Sequence, residues 1–221
     1  HTVNKTFPAL VPLKCKGDFF KEWANLRVDA DISLIVNGNM LDIETGEVQL
    51  TDYGISGIPV FNISSKANKN LDLGNKVEVI INFLPGVDLL ELLNERNRSI
   101  SNHTVSELFE TILPYQLISV LLKKASIKES DKWNDIDNSK KEELANLVNR
   151  FKLEVVASLD FDRGQVATGG VSLNEINPDT MESTKVKNLY IVGELLDVDG
   201  KCGGFNLGFA FITGYIAGRG V

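Results

Sequence analysis

The chain has 221 residues, 43% hydrophobic and 24% charged, enough for a packed core in one large domain or two small ones. Its net charge of −7 argues against a dedicated nucleic-acid binder, whose phosphate contacts need a basic face. Cys15 and Cys202 lie too far apart to suggest a disulfide framework, and with two histidines they form no zinc spacing, so a reduced, cytoplasmic setting is expected and no metal.

The chain starts His1-Thr2-Val3 with no initiator Met, and Phe7–Leu13 is already apolar and strand-like, so it reads as a piece of a longer polypeptide. No signal sequence opens it. Its longest apolar stretch, Phe205–Gly218, is about fourteen residues where a membrane span needs about 20, so no membrane partner is expected. Residues 1–86 are mostly strand-like. A short helix is expected over Asp18–Leu26, with Asp18 as its N-cap. Val28–Val36 alternates apolar and polar residues, the period of a half-buried strand, and Asn37-Gly38-Asn39 predicts a hairpin to Met40–Leu50. Pro59 suits the first turn of a second short helix, and Lys76–Phe83 is another strand ended by Pro85-Gly86.

Residues 87–150 are helical in pattern: Asp88–Arg96, a helix opened by Thr104 and Glu107 at capping-box spacing, Tyr115–Lys124 after Pro114, and Ser139–Arg150. Leu117, Val120, Leu121 and Leu122 read as core. Lys128–Asn138, with its acidic run at 131–137, reads as a solvated linker. His103 reads as a loop or capping residue rather than a general base. Tyr53–Gly57 is taken as a structural turn.

Strands are expected again at Phe151–Leu159 and Gln165–Ala167, and Ala167–Val171 reads as a tight glycine-rich turn. Leu189–Val192 has the continuous apolar pattern of a fully buried strand. It runs into Gly193-Glu194, a loop rich in Asp and Gly, and a helix opening after Gly203-Gly204. Such a joint suits a dinucleotide: glycines admit close backbone approach, a helix N-terminus offers unpaired N–H groups, and a carboxylate at a strand end accepts from sugar hydroxyls. A strand–turn–helix joint whose glycines only permit tight packing would look the same, and spacing does not separate the two. Cys202, inside this loop and without a resolving partner nearby, reads as a small buried filler.

Residues 189–218 resemble the C-terminal signature of the BaiN/YhiN-like family of NAD(FAD)-utilising dehydrogenases, which includes aminoacetone oxidase-like flavoproteins. The matching residues are Leu189-Tyr190, Gly193-Glu194, Leu196-Asp197-Val198-Asp199-Gly200 and Gly203-Gly204-Phe205-Asn206-Leu207. Further matches fall in order at Phe7–Leu13, Glu44–Glu47 with Tyr53–Gly57, Thr168–Val171 and Ile176–Ser183, so the resemblance spans nearly the whole chain. The family's Rossmann Gly-x-Gly-x-x-Gly turn occurs nowhere in it.

The resemblance therefore implies the second half of an FAD-dependent oxidoreductase of α+β class. An insert, or substrate-side, domain at 1–160 would have a β-barrel-like part (1–86 and 151–160) and a small helical subdomain (87–150). The segment 161–221 would complete a Rossmann-like FAD domain. It implies hydride transfer between flavin and a small organic substrate, with NAD(P)H as electron donor. The implied cofactor contacts are Thr168, Gly169, Gly170, Gly193, Glu194, Asp199, Gly200, Gly203, Gly204, Phe205 and Asn206. Asp197 and Asp199 would also hold the loop in shape, and no catalytic residue is implied. Two departures stand out: Gly208 replaces the usual Gln and Phe209 the usual Trp. Without the missing N-terminal half, the chain alone is expected to be a folded, inactive module with little hold on FAD. It is expected to self-associate through its apolar C-terminal helix, with no nucleic acid as partner.

Overall fold

The computed structural model describes residues 1–99 and 103–219, so the last two residues of the expected 161–221 segment lie outside it. Strand β1 (Val3–Ala9) leads into a closed barrel of six antiparallel strands: β2 (Leu13–Cys15), β3 (Leu26–Val36), β4 (Asn39–Leu50), β5 (Gly54–Ser56), β6 (Val77–Asn82) and β7 (Phe151–Ser158). Their order around the barrel is β2-β5-β4-β3-β6-β7, and β7 closes onto β2. β1 stays outside and pairs antiparallel with β8 (Val166–Val171), Phe7 opposite Thr168 and Ala9 opposite Val166. The expected single strand at 7–13 is thus two, broken at Leu10, whose φ of +48° turns the chain from one sheet into the other.

The barrel interior follows from period-2 side chains. Val28, Ala30, Ile32 and Leu34 from β3 meet Val77, Val79 and Ile81 from β6 and Leu153 and Val155 from β7, all buried. Each Val, Leu or Ile among them contributes about 1.5–3 kcal/mol relative to exposure. The β3–β4 hairpin turns at Asn37 and Gly38, whose φ values of +49° and +84° are the left-handed pair that a two-residue turn needs.

The first expected helix is cut down to α1 (Phe20–Trp23). Asp18 does not cap it, and Leu26 already belongs to β3. Its purpose is aromatic packing: Trp23 lies against Phe83 and Phe151, which flank the helical insertion, and Phe20 packs on Trp23. α2 (Ile58–Asp72), with Pro59 in its first turn, is a full-length helix whose Val60, Ile63 and Ala67 pack on the barrel.

Between β6 and β7 come α3 (Leu89–Ser99), α4 (Val105–Phe109), α5 (Tyr115–Lys124) and α6 (Asn138–Asn149). Thr104 and Glu107 form the reciprocal capping box, and α5 buries Leu117, Val120, Leu121 and Leu122. The linker reading of 128–138 needs correction. A 3-10 turn at Trp133–Asp135 buries Trp133, whose indole donates to Asn94 Oδ1 at 2.8 Å under Lys141. Charged flanks hid one anchoring aromatic.

Two further corrections fall after the barrel. Residues 167–171 are not a turn but lie within β8. Gly169 is required there because a Cβ would stand 2.3 Å from Lys5 O at the irregular step in β1. Residues 189–192 form no strand among the described residues: a single bridge joins Tyr190 to Glu182. Apolar composition alone does not make a strand without hydrogen-bonded neighbours on its flanks. The chain ends in α7 (Phe205–Arg219), packed through Ala217 and Phe209 on a small cluster of Ile176, Met181, Ile191 and Leu196.

Candidate functional site

Gly193 opens a 3-10 turn with φ of +61° and donates its N–H to Thr213 Oγ1 of α7 at 3.0 Å. Thr213 in turn donates to Phe209 O, so loop and helix are fastened together. Glu194 follows, and its Oε1 accepts the Ala167 N–H of β8 at 2.7 Å. The second carboxylate oxygen has no hydrogen-bond partner among the described residues, and the side chain is exposed.

Past the turn, Asp199 accepts the Thr168 hydroxyl, and Asp197 accepts from Asn4 at 2.7 Å, so both aspartates shape the loop. Gly200 and Asn206 close it with two reciprocal bonds of 2.7 and 2.9 Å. The first helical bond of α7 runs from Gly208 N to Gly204 O at 2.9 Å. The amides of Phe205, Asn206 and Leu207 therefore have no intrahelical acceptor, and the helix dipole adds a partial positive charge there.

These elements border a cleft of about 340 Å³. Glu194, Gly203, Gly204 and Asn206 line it together with Gln165. Its apolar walls are Leu10, Val166 and Ala167 on one side and Leu207, Phe209 and Ala210 of α7 on the other, with Val198 between. The volume lies at the low end for ligand pockets and suits a ring system, not an entire dinucleotide. Gly204, with φ of +90°, has open space where a Cβ would point. Open glycine backbone, free helix amides and one uncommitted carboxylate oxygen fit the ring and sugar-alcohol portion of a flavin.

Of the eleven residues expected at a cofactor, Glu194, Gly203, Gly204 and Asn206 thus reach the cleft. Thr168 is fully buried against Asp199, Gly169 and Gly170 press on the backbone of Lys5 and Leu195, and Gly193 lies under Ala210. With Gly200 and Asp199 they stand outside the lining and support it, while the Phe205 ring is exposed. Sequence reasoning missed Gln165, Val166 and Ala167, one strand step before the glycines it chose. It also missed Ala210, which shares the helix face of Asn206 at a spacing of four, and Leu207, which lies three residues before Ala210. Leu10 had no local signal. Cys202 is half-exposed, with Sγ 3.9 Å from Gln165 Oε1, which corrects its reading as a buried filler. His103 precedes the Thr104 cap, with Nδ1 3.4 Å from Glu107 Oε2.

Among the described residues no group of three His, Cys, Asp or Glu could hold a metal ion, and no helix is long and apolar enough to cross a membrane. Comparison with known proteins gives a family match, described as HI0933-like protein barrel and H2TH domain, over residues 7–166. The chain belongs to the HI0933-like family. This is the FAD-utilising oxidoreductase family that the sequence motifs resemble, and its barrel and helical parts are the six-stranded barrel and the insertion between β6 and β7.

Three curated relatives place this HI0933-like chain further. It is 38% identical over 222 residues to the 3-dehydro-bile acid delta(4,6)-reductase of Clostridium scindens, covering 99% of this chain and 54% of that protein. It is 29% identical over 165 residues to the ribosomal RNA dihydrouridine synthase of Escherichia coli, and 26% over 169 residues to that of Haemophilus influenzae. Those two matches cover 75% and 76% of this chain and 40% of each relative. The chain spans about half the length of the curated relatives it matches.

Proposed function

We propose that this chain is the C-terminal part of an FAD-dependent reductase whose flavin ring lies in the cleft between β8 and the start of α7. The observation that carries the reading is the pairing of free first-turn amides at Phe205–Leu207 with Glu194 across one ring-sized cleft. When bound, the flavin supplies hydride transfer. The chain's own residues orient it: the free Glu194 oxygen accepts from a ribityl hydroxyl, and the α7 amides donate to the electron-rich side of the ring. The apolar walls from Leu10, Val166 and Phe209 exclude water from that contact.

The relatives support a substrate class. A 3-dehydro Δ4 steroid presents a ring carbon–carbon double bond conjugated to a carbonyl, and dihydrouridine is uridine with such a ring bond reduced. Reduction of a conjugated ring alkene is the shared chemistry, and NADH or NADPH is the donor we assign. The higher identity to the bile-acid enzyme, together with the net charge of −7, favours a small molecule over RNA.

The test is made on the longer protein. It should be yellow, with its flavin band bleached anaerobically by NADH or NADPH and restored by a conjugated steroid enone. A colourless protein that does not take up added FAD defeats the proposal. Retention of ribosomal RNA with turnover of its uridines would move the substrate to nucleic acid. The 221-residue chain alone should take up FAD weakly, and tight stoichiometric binding would overturn its reading as an inactive module.

A further inference from the structure

The loop leading into Gly203-Gly204 is held from outside by two side chains that do not line the cleft. Asn62 of α2 accepts the Cys202 N–H through Oδ1 at 2.9 Å and donates through Nδ2 to Glu44 Oε2 at 2.9 Å. Glu44, on β4, uses its other oxygen to accept Lys201 Nζ at 2.5 Å, with only 11% of its own side chain exposed. One amide and one carboxylate, both on the barrel side, thus grip two consecutive residues, 201 and 202. A primary amide is suited to the task because it carries an acceptor and a donor at once. Turning it over would set oxygen against oxygen at Glu44 and N–H against N–H at Cys202.

The need for such a grip is physical. Gly203 and Gly204 have φ values of +131° and +90°, and nothing stands within 4 Å of the Gly204 Cβ position. Two glycines in sequence lose more conformational entropy on ordering than any other pair, about 1–2 kcal/mol per residue for the backbone alone, and here only the Phe205 ring stands near the Gly203 Cβ position. The helix amides beyond them stay in place only if the chain before them is fixed. Behind it the Gly200–Asn206 pair closes the loop on itself, and among the described residues it is the Asn62–Glu44 pair that joins residues 201–202 to the barrel.

We propose that Asn62 and Glu44 are positioning residues for the cleft: they lock residues 201–204 to the barrel and so set where the first-turn amides of α7 stand. The proposal rests on the flavin reading given above and adds to it that the barrel, not only the nucleotide-side segment, determines the geometry at the ring. A displacement of β4 or α2 would be passed to the cleft through these bonds.

The experiment uses the longer protein, wild type and with Asn62→Ala, Glu44→Gln or Lys66→Met. The last variant removes a neighbouring pair, Lys66 with Asp42, that does not touch the loop. Amide exchange at 199–206, FAD affinity, visible flavin circular dichroism and the melting temperature are read for each. Asn62→Ala should speed exchange at the Cys202 amide at least tenfold, weaken FAD about five- to tenfold and alter the flavin dichroism, at nearly unchanged melting temperature. Glu44→Gln should shift the same signals less, since it keeps an acceptor for Asn62, and it serves if Asn62→Ala fails to fold. Lys66→Met should leave them alone. Unchanged exchange in both loop variants overturns the clamp. Faster exchange with unaltered FAD affinity and dichroism reduces it to a structural tie and overturns the positioning role. A wild-type protein that takes up no FAD overturns the flavin reading instead, a result that the exchange measurement keeps separate.

Discussion

At Gly204 the backbone does what a side-chain-bearing residue resists, with φ of +90° and open space beyond it. Gly204→Ala should cost about 1–2 kcal/mol through backbone strain and place a methyl group in the cleft. A fall in melting temperature accompanied by weaker FAD uptake in the longer protein would show both effects. The two thiols differ just as sharply. Burial pushes the Cys15 thiol up to about 12, so it stays protonated and unreactive in the folded barrel, whereas Cys202 is partly exposed beside Gln165. One thiol should titrate rapidly with a disulfide reagent in native protein and both after denaturation. Glu175 gives a pH signature. Lys185 at 2.6 Å and the Thr2 N–H at 2.9 Å hold its carboxyl down to about 2. Because its folded value lies below the ordinary 4.5, its contribution is complete above that value and is lost as pH falls towards 2. Wild type should lose melting temperature more steeply than Glu175→Gln across that window.

Among elements, those with local causes could be read directly. The β3–β4 hairpin announces itself through alternation and an Asn-Gly turn, α4 through its capping box, α5 through Pro114 and a stripe of leucines. Elements defined by distant partners could not. Residues 167–171 look like a turn because of Gly169 and Gly170, yet those glycines are there to let β8 pass close to β1 and to Leu195. Residues 189–192 look like a strand, but among the described residues they meet 181–183 at a single bridge, Tyr190 with Glu182. The cleft divides the same way: Glu194 and the 203–206 turn carry their own motif, whereas Leu10 enters only because β1 lies beside β8. Trp133 shows how a charged neighbourhood conceals a core anchor. Trp133→Ala should destabilise the helical insertion by about 3–5 kcal/mol, measurable by chemical denaturation.

Over the whole molecule, burial is uneven. The barrel and insertion share one continuous core, while α7 presents Phe205, Leu207, Ile212 and Tyr215 to the outside and leaves Phe211 77% exposed. A contiguous apolar face of that kind exceeds what monomers ordinarily leave in water. The 221-residue chain by itself should therefore associate with itself, and Phe211→Ser with Ile212→Ser should return it towards a monomer in analytical ultracentrifugation. The same face is where we expect the remaining half of a longer protein to settle.

The pairing of β1 with β8 carries one more consequence. Ala9 stands directly opposite Val166, so the chain departs for the barrel and returns from it at adjoining points about 5 Å apart. Everything between those two residues is, in topological terms, a cassette plugged into a two-pin socket. Lengthening, trimming or exchanging it leaves the socket's strand pairing in place, so such a protein has a simple route to new substrates provided that Leu10, Glu44, Asn62 and Gln165, which belong to the cassette and reach the cleft or its loop, are kept.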